Sequence, residues 1–262
     1  MKRDDYNAFT DQLRLNLLDD ERVLGLVVLG STADRSHAPD EWSDHDFFVI
    51  TEHDQQEWFR THFDWLPDHE NIVLTVRETA HGLKILYQNG HVLEFAVFDA
   101  EEIHMARVND YAVLFDRGPV GVLLADVAAR PTPSVEAYTH RDLGMVLSLL
   151  IVGAGRYARG EVLSAHVVIK QYALSHLMAL LTRHLPDGDR HYLDNLDPYR
   201  RFERVFPQIG AEINTALNHD PISAALDLLD VYERHLCEAE PYSQDATSTV
   251  RAFLLRSARE IR

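Results

Sequence analysis

Hydrophobic and polar residues follow two different patterns in the two halves of the chain. In the first half, residues 22–29 form a dense run of β-branched residues and leucine that ends at Gly30-Ser31, which is typical of a buried strand. Asn89-Gly90 is a strong hairpin-turn dipeptide between two further apolar runs. Together the patterns predict helices over 4–18, 55–63 and 100–106, and strands over 22–29, 44–50, 72–76, 83–87, 92–98 and, at the sheet edge, 111–115.

The second half is helical throughout. From Val135 onward apolar residues recur at helical spacing, which predicts helices over 137–156, 162–184, 212–217, 222–236 and 247–261. The change follows Pro131 and Pro133, so we expect a boundary between a domain of residues 1–130 and a domain of residues 134–262. The predicted fold class is α+β, with a mixed sheet and flanking helices in the first domain and a helical bundle in the second.

Two aspartates, Asp44 and Asp46, stand at the start of the second predicted strand. Because alternate side chains of a strand share a face, they point the same way and His45 points away from them. Neighbouring carboxylates are unfavourable unless a cation bridges them, and Mg²⁺ prefers oxygen ligands. Gly30 and Ser31, directly after the first strand, let the backbone approach a phosphate closely. The combination predicts a metal site at Asp44 and Asp46 and a phosphate contact at Gly30 and Ser31.

A third acid, Glu94, lies in the otherwise apolar strand predicted over 92–98, which we expect beside the strand of Asp44. Charged residues are rarely buried without a partner, and a shared metal would supply one. Glu94 would then complete a two-metal site, or it would accept the proton of an attacking hydroxyl. The residues themselves leave both roles open.

The composition narrows the choice of partner. The 262 residues include 25 Lys+Arg against 42 Asp+Glu, a formal charge of −17, which argues against a long nucleic acid and favours metal ions and cationic small molecules. No apolar run is long enough for a membrane, and the first residues lack the core of a signal peptide, so we expect a cytoplasmic protein. The single cysteine cannot form an internal disulfide, which fits that compartment. The oligomeric state stays open, with a homodimer among the options.

Gly30-Ser31, the segment Ser43-Asp44-x-Asp46 and a later acidic strand together resemble the polymerase-β-type nucleotidyltransferase superfamily. Within it, the sequence is most similar to antibiotic nucleotidyltransferases. The loop of residues 38–44 and the segment 98–102 look like the streptomycin 6-adenylyltransferases.

Lincosamide nucleotidyltransferases show a second similarity. Leu93-Glu94-Phe95 and Ala158-Arg159-Gly160-Glu161 resemble segments of that type, which also shares the domain order and approximate length. The streptomycin type is similar to this chain but has aspartate at the position of Glu94, whereas the lincosamide type has glutamate there. The choice between the two acceptors therefore stays open.

The resemblance implies an enzyme of polymerase-β-like fold that transfers a nucleoside monophosphate, AMP from ATP, to a hydroxyl of an antibiotic such as an aminoglycoside or a lincosamide. Pyrophosphate would leave, and antibiotic resistance would be the biological role. The implied catalytic and Mg²⁺-binding residues are Asp44, Asp46 and Glu94. The implied nucleotide-binding residues are Gly30, Ser31 and Lys170, although Lys170 is equally explained as an exposed helix lysine.

Other interpretations compete with this one. A non-catalytic, antitoxin-like protein of the same fold would act as a protein-binding partner, but the three acids and the helical domain in the same chain speak against it. Nucleotide addition to tRNA is disfavoured by the −17 charge. Trp42 would either stack on a ring of a substrate or hold its own loop, and we expect Asp99 to cap the helix that follows it.

Overall fold

The computed structural model describes residues 1–33, 38–108, 110–130, 135–185, 190–194, 197–236 and 244–260. They belong to two compact units, Met1–Pro131 and Thr132–Arg262, and each unit has buried hydrophobic clusters of its own. Pro131 and Pro133, where the domain boundary is expected, lie outside the described residues. Among the described helices, none is both long enough and apolar enough to span a membrane.

Six strands of the first unit form one mixed sheet in the order β3-β4-β5-β2-β1-β6. Their bounds are β1 (Val23–Leu29), β2 (His45–Thr51), β3 (Ile72–Arg77), β4 (Gly82–Tyr87), β5 (Val92–Phe98) and β6 (Tyr111–Asp116). β2 and β5 run parallel, and the other neighbouring pairs are antiparallel. Each predicted strand is confirmed to within one residue at either end, and β6 lies at the edge as expected. The α+β fold class is therefore confirmed.

The helices of the first unit are α1 (Arg3–Leu18), α2 (Gln56–Thr61) and α3 (Val120–Ala128), with 3₁₀ turns at Gly30–Ala33, His69–Asn71 and Glu102–Met105. The helix expected over 100–106 is reduced to the last of these turns. α3 is not predicted from the sequence, because its residues are apolar on nearly every side and show no clear helical stripe. The Asp116 carboxylate starts α3 by accepting the N–H groups of Val120 and Gly121.

The two faces of β2 enter two different cores. Phe47 and Val49 pack in a cluster that includes side chains of α1 and α2. Ile50 and, next to it, the half-buried Phe48 pack in a second cluster that includes side chains of α3. Because side chains alternate along a strand, the face of Phe48 and Ile50 is also the face of the even-numbered Asp46.

The second unit is helical in its described parts. Its helices are α4 (Val135–Ala158), α5 (Val162–Val167), α6 (Leu174–His184), α7 (Phe202–Val205), α8 (Pro207–Asn218), α9 (Pro221–Leu236) and α10 (Gln244–Glu260), with a 3₁₀ turn at Arg190–Tyr192. The helix predicted over 162–184 is interrupted by a π-helical segment, Val168–Ala173. At this segment a Cβ on Gly153 of α4 would overlap the side chain of Ile169, so the absence of a side chain permits the close approach.

Candidate metal and nucleotide site

Three carboxylates meet where the parallel strands β2 and β5 begin. Asp46 and Glu94 occupy the same register position on these neighbouring strands, and Asp44 precedes β2 by one residue. One carboxylate oxygen from each of Asp44, Asp46 and Glu94 lies within 4.8 Å of the other two. Asp44 and Asp46 are half-buried, whereas Glu94 is exposed. The three acids named by the sequence analysis are thus brought together.

The donor set suits a hard divalent cation. All three groups offer carboxylate oxygens, which Mg²⁺ and Ca²⁺ prefer over nitrogen or sulfur. Three negative charges at this separation repel each other, and a cation among them would offset that repulsion. The three carboxylates are therefore suitable ligands for Mg²⁺.

Gly30 brings the end of β1 against the same cluster. Its φ of 51° lies in the left-handed region that favours glycine, and its N–H donates to the Asp110 carbonyl over 2.8 Å. A Cβ at Gly30 would lie 3.5 Å from Oδ2 of Asp46. The next residue, Ser31, is buried. Gly30-Ser31 and the aspartate pair are therefore neighbours, as the sequence pattern requires.

Tyr6 and Thr32 support the aspartates, and the sequence analysis did not find them. The Tyr6 hydroxyl donates to the backbone carbonyl of Asp44 over 2.7 Å and shares a 2.6 Å hydrogen bond with Thr32 Oγ1. Thr32 Oγ1 also accepts the Asp46 N–H over 3.3 Å. Burial raises the pKa of Tyr6 to about 12, although its hydrogen bonds to Thr32 and Ser31 oppose the rise. The phenol therefore stays protonated at neutral pH and remains a hydrogen-bond donor.

His45 points away from the aspartates, as its position between them predicts. Its ring stacks on Tyr6 with 3.6 Å between ring centroids, and its two nitrogens hydrogen-bond Thr10 Oγ1 and His91 Nε2. Burial, followed by the nearby His91, lowers the pKa of His45 to about 3. Burial likewise lowers the pKa of His91 to about 4. Both rings are neutral at physiological pH and act as packing beneath the site.

Lys84 is a neighbour of Glu94 that the sequence analysis missed. It lies opposite Glu94 on the antiparallel strand β4, and its Nζ is 3.2 Å from Glu94 Oε2 and 3.2 Å from Glu78 Oε1. Hydrogen bonds to Glu78 and then to Glu94 raise the pKa of Lys84. Glu94 is therefore not the buried, unpaired acid that the sequence predicts, since its side chain is 50% exposed and ion-paired, and burial does not explain why it would need a metal.

Lys170 lies in the second unit, on the π-helical segment. Its ammonium donates to the Leu217 carbonyl over 2.9 Å and to the His219 carbonyl, at the C-terminal end of α8. A cation at this end of a helix satisfies carbonyl groups that have no partner within the helix. This contact gives Lys170 a structural role, and its role in binding nucleotide stays a prediction.

Trp42 and Asp99, two further residues for which the sequence gives an expectation, differ in how well the structure matches it. Trp42 is 86% exposed, so it does not hold its loop by packing. The loop is instead held by Asp40, which accepts the Trp42 N–H and the Ser43 hydroxyl. Asp99 accepts the N–H groups of Glu101 and Glu102, which confirms it as a cap, although of a 3₁₀ turn.

Comparison with family models and with curated proteins finds no match. Among solved structures, the chain is similar to an aminoglycoside 6-adenyltransferase from Bacillus subtilis, with 14% identity and a TM-score of 0.42 over 95% of this chain and 97% of that one. It is also similar to a nucleotidyltransferase-like protein from Exiguobacterium sibiricum 255-15, with 12% identity and a TM-score of 0.28 over 98% and 89% of the two chains. At these identities and TM-scores neither likeness carries an argument about this chain, and what the chain can do follows from its own side chains.

Proposed function

We propose that the chain is a metal-dependent nucleotidyltransferase. It would transfer a nucleoside monophosphate, AMP from ATP, to a hydroxyl of a small molecule and release pyrophosphate. The observation that carries the proposal is the meeting of three carboxylates, with oxygens within 4.8 Å of one another, beside a glycine in the left-handed conformation at the end of β1. Phosphoryl transfer uses carboxylates that hold a hard cation and backbone that a phosphate can approach closely, and this site offers both the carboxylates and the backbone.

Each residue of the cluster has a task in this reaction. Asp44 and Asp46 would hold Mg²⁺, which neutralises charge on the triphosphate when bound. Gly30 and Ser31 would line the phosphates at the end of β1. The acceptor oxygen attacks the α-phosphorus, and the bond from that phosphorus to the bridging oxygen breaks, so that pyrophosphate leaves with the electron pair. The hydroxyl proton passes to Glu94 or to water, depending on whether Glu94 acts as base or as metal ligand.

Support for a cationic acceptor comes from charge and from the loop before β2. The chain carries a formal charge of −17, which attracts cations over long range. Trp42 exposes its ring two residues before Asp44, and it directly follows Asp40 and Glu41. An aromatic face beside carboxylates binds ammonium groups and sugar rings well. These features favour a cationic acceptor that carries a ring. The resemblance of the sequence to antibiotic nucleotidyltransferases adds the narrower proposal of an aminoglycoside or a lincosamide, with antibiotic resistance as the biological role.

The test is a screen of aminoglycosides and lincosamides with ATP and Mg²⁺, followed by pyrophosphate release and product mass. The proposal expects pyrophosphate release that depends on one acceptor class and a product heavier by one AMP. Parallel reactions with GTP, CTP and UTP identify the preferred base. The double variant Asp44→Asn/Asp46→Asn is the control for contaminating activity. If no nucleotide is transferred in the whole panel, the result supports the protein-binding alternative instead.

A further inference from the structure

Lys84 stands between two carboxylates, and only one of them belongs to the proposed metal cluster. Its Nζ lies 3.2 Å from Glu94 Oε2 and also 3.2 Å from Glu78 Oε1. Glu94 is the member of the cluster that the ammonium touches. The same carboxylate therefore has two candidate counter-charges, the lysine and a divalent cation.

The sheet fixes this arrangement. Glu94 pairs with Lys84 across the antiparallel strands β4 and β5, and with Asp46 across the parallel strands β5 and β2. Directly opposite positions on neighbouring strands place their side chains on the same face. Lys84, Glu94 and Asp46 thus form a row over three adjacent strands. Glu78, one residue beyond β3, reaches Lys84 from the far side.

We propose that Lys84 is a positioning residue that holds Glu94 in the metal-free protein and is retained by Glu78 when a divalent cation takes Glu94. The inference rests on the proposed function, because it assumes that the three carboxylates bind a metal. Without a cation, the ammonium offsets repulsion among the three acids. With a cation in the cluster, the two positive charges repel each other, and Glu78 offers Lys84 a partner outside the cluster.

Two substitutions at this ammonium should therefore act in opposite directions. Lys84→Met removes the competitor for Glu94 and should tighten metal binding. Glu78→Gln removes one of the two carboxylates that Lys84 contacts and leaves Glu94 as the other. Lys84 should then compete more strongly for Glu94, so metal binding should weaken. Because the ion pairs are solvent-exposed, each change should be about two- to five-fold in the dissociation constant. Lys84→Arg keeps the charge and should stay close to wild type.

The experiment is a Mn²⁺ titration of the full-length, nucleotide-free protein at fixed ionic strength, with free Mn²⁺ measured by electron paramagnetic resonance. Glu70→Gln is the matched control for the loss of one exposed acid in the same unit, since the Glu70 side chain is 68% exposed. The double variant Lys84→Met/Glu78→Gln tests whether Glu78 affects metal binding through Lys84 or only through its negative charge at a distance. In the Lys84→Met background, Glu78→Gln should no longer weaken binding beyond the Glu70→Gln control.

The outcomes distinguish this inference from the function on which it rests. If Mn²⁺ does not bind, or binds equally to the variant Asp44→Asn/Asp46→Asn, the metal site itself is wrong. If Mn²⁺ binds through the aspartates but Lys84→Met and Glu78→Gln leave the affinity unchanged, only the role of Lys84 is overturned. The role of Lys84 is also overturned if Glu78→Gln weakens binding equally in the wild-type and Lys84→Met backgrounds. Thermal unfolding of each variant confirms that the exposed substitutions leave the fold intact.

Discussion

Asp46 and Glu94 lie side by side at one register position of two parallel strands. This relationship explains how acids 48 positions apart in the numbering reach one cluster, because β5 aligns directly with β2. Asp44 lies two residues before Asp46, and because alternate side chains of an extended chain point to the same side, it joins the same cluster. The cluster is therefore a consequence of strand pairing, and it does not depend on a loop conformation for the placement of Asp46 and Glu94.

The substitution Glu94→Gln distinguishes the two roles of the third acid. Glutamine keeps the shape of the side chain but cannot accept the proton of the acceptor hydroxyl. If Glu94 is the base, the single-turnover transfer rate should fall by about 10²–10⁴-fold while the Mg²⁺ dependence stays unchanged. If Glu94 is a metal ligand, the Mg²⁺ concentration for half-maximal rate should also rise. A normal rate with normal Mg²⁺ dependence would rule out both roles.

Replacing Gly30 by alanine should reduce both stability and nucleotide affinity. The residue has a φ of 51°, and a left-handed backbone costs about 1–2 kcal/mol for a residue that carries a Cβ. The added methyl group would also stand in ordinary van der Waals contact with Oδ2 of Asp46, 3.5 Å away, beside the place proposed for the phosphates. Urea unfolding measures the loss of stability, and titration with MgATP measures the affinity.

The matched control for this prediction is Gly90→Ala. Gly90 has a φ of 85°, but a Cβ there would meet nothing within 4 Å. It should therefore lose a similar free energy of unfolding and keep its nucleotide affinity. Equal affinity losses in the two variants would show that the backbone strain, and not the contact with Asp46, is responsible.

Asp142 should make the stability of the second unit depend on pH. Its side chain is 2% exposed and accepts hydrogen bonds from Arg141, His176 and Arg183. Burial alone would raise the pKa of Asp142, but the hydrogen bonds from these three residues outweigh it and lower the pKa. The stabilisation is therefore complete above the ordinary aspartate pKa of about 3.9 and is lost as the pH falls toward the lower folded value.

The variant Asp142→Asn tests this. It should lower the free energy of unfolding at pH 7 by about 2 kcal/mol, because charged hydrogen bonds of this kind contribute about 1.5–3 kcal/mol. The difference from wild type should shrink as the pH is lowered through the acidic range, where the wild-type carboxylate becomes protonated. A difference that is constant from pH 7 to pH 3 would exclude a role for the ionised carboxylate.

The strong local patterns are the ones that sequence predicts well here. The β-branched run of β1 and the alternation in β2 identify strands to within a residue, because burial on both sides or on one side of a sheet imposes these periods. The same alternation along the chain predicts that Asp44 and Asp46 point to one face of the sheet. α3 was missed because its apolar residues lack a helical stripe, and its start depends on Asp116, which belongs to the preceding strand.

Lys84 shows why the rest of the site was not predictable. A two-residue turn at Asn89-Gly90 would place Lys84 opposite Phe95, whereas the observed pairing places it opposite Glu94. A register shift of one residue turns every side chain to the other face of the sheet, and sequence does not fix the turn type that decides it. Tyr6 was missed for a related reason, since its contact with Asp44 joins residues 38 positions apart.

The most direct test of the account is a calorimetric titration of ATP, with and without Mg²⁺, into wild type and the double variant Asp44→Asn/Asp46→Asn. The account predicts that wild type binds ATP tightly only with Mg²⁺ and that the variant loses at least about tenfold in affinity, since weakening even the support of metal ligands costs 10–100-fold. Equal melting temperatures would show that the fold is intact. Equal ATP affinity in both proteins, whether or not Mg²⁺ is present, would contradict the central claim that these carboxylates hold the metal of a nucleotidyltransferase.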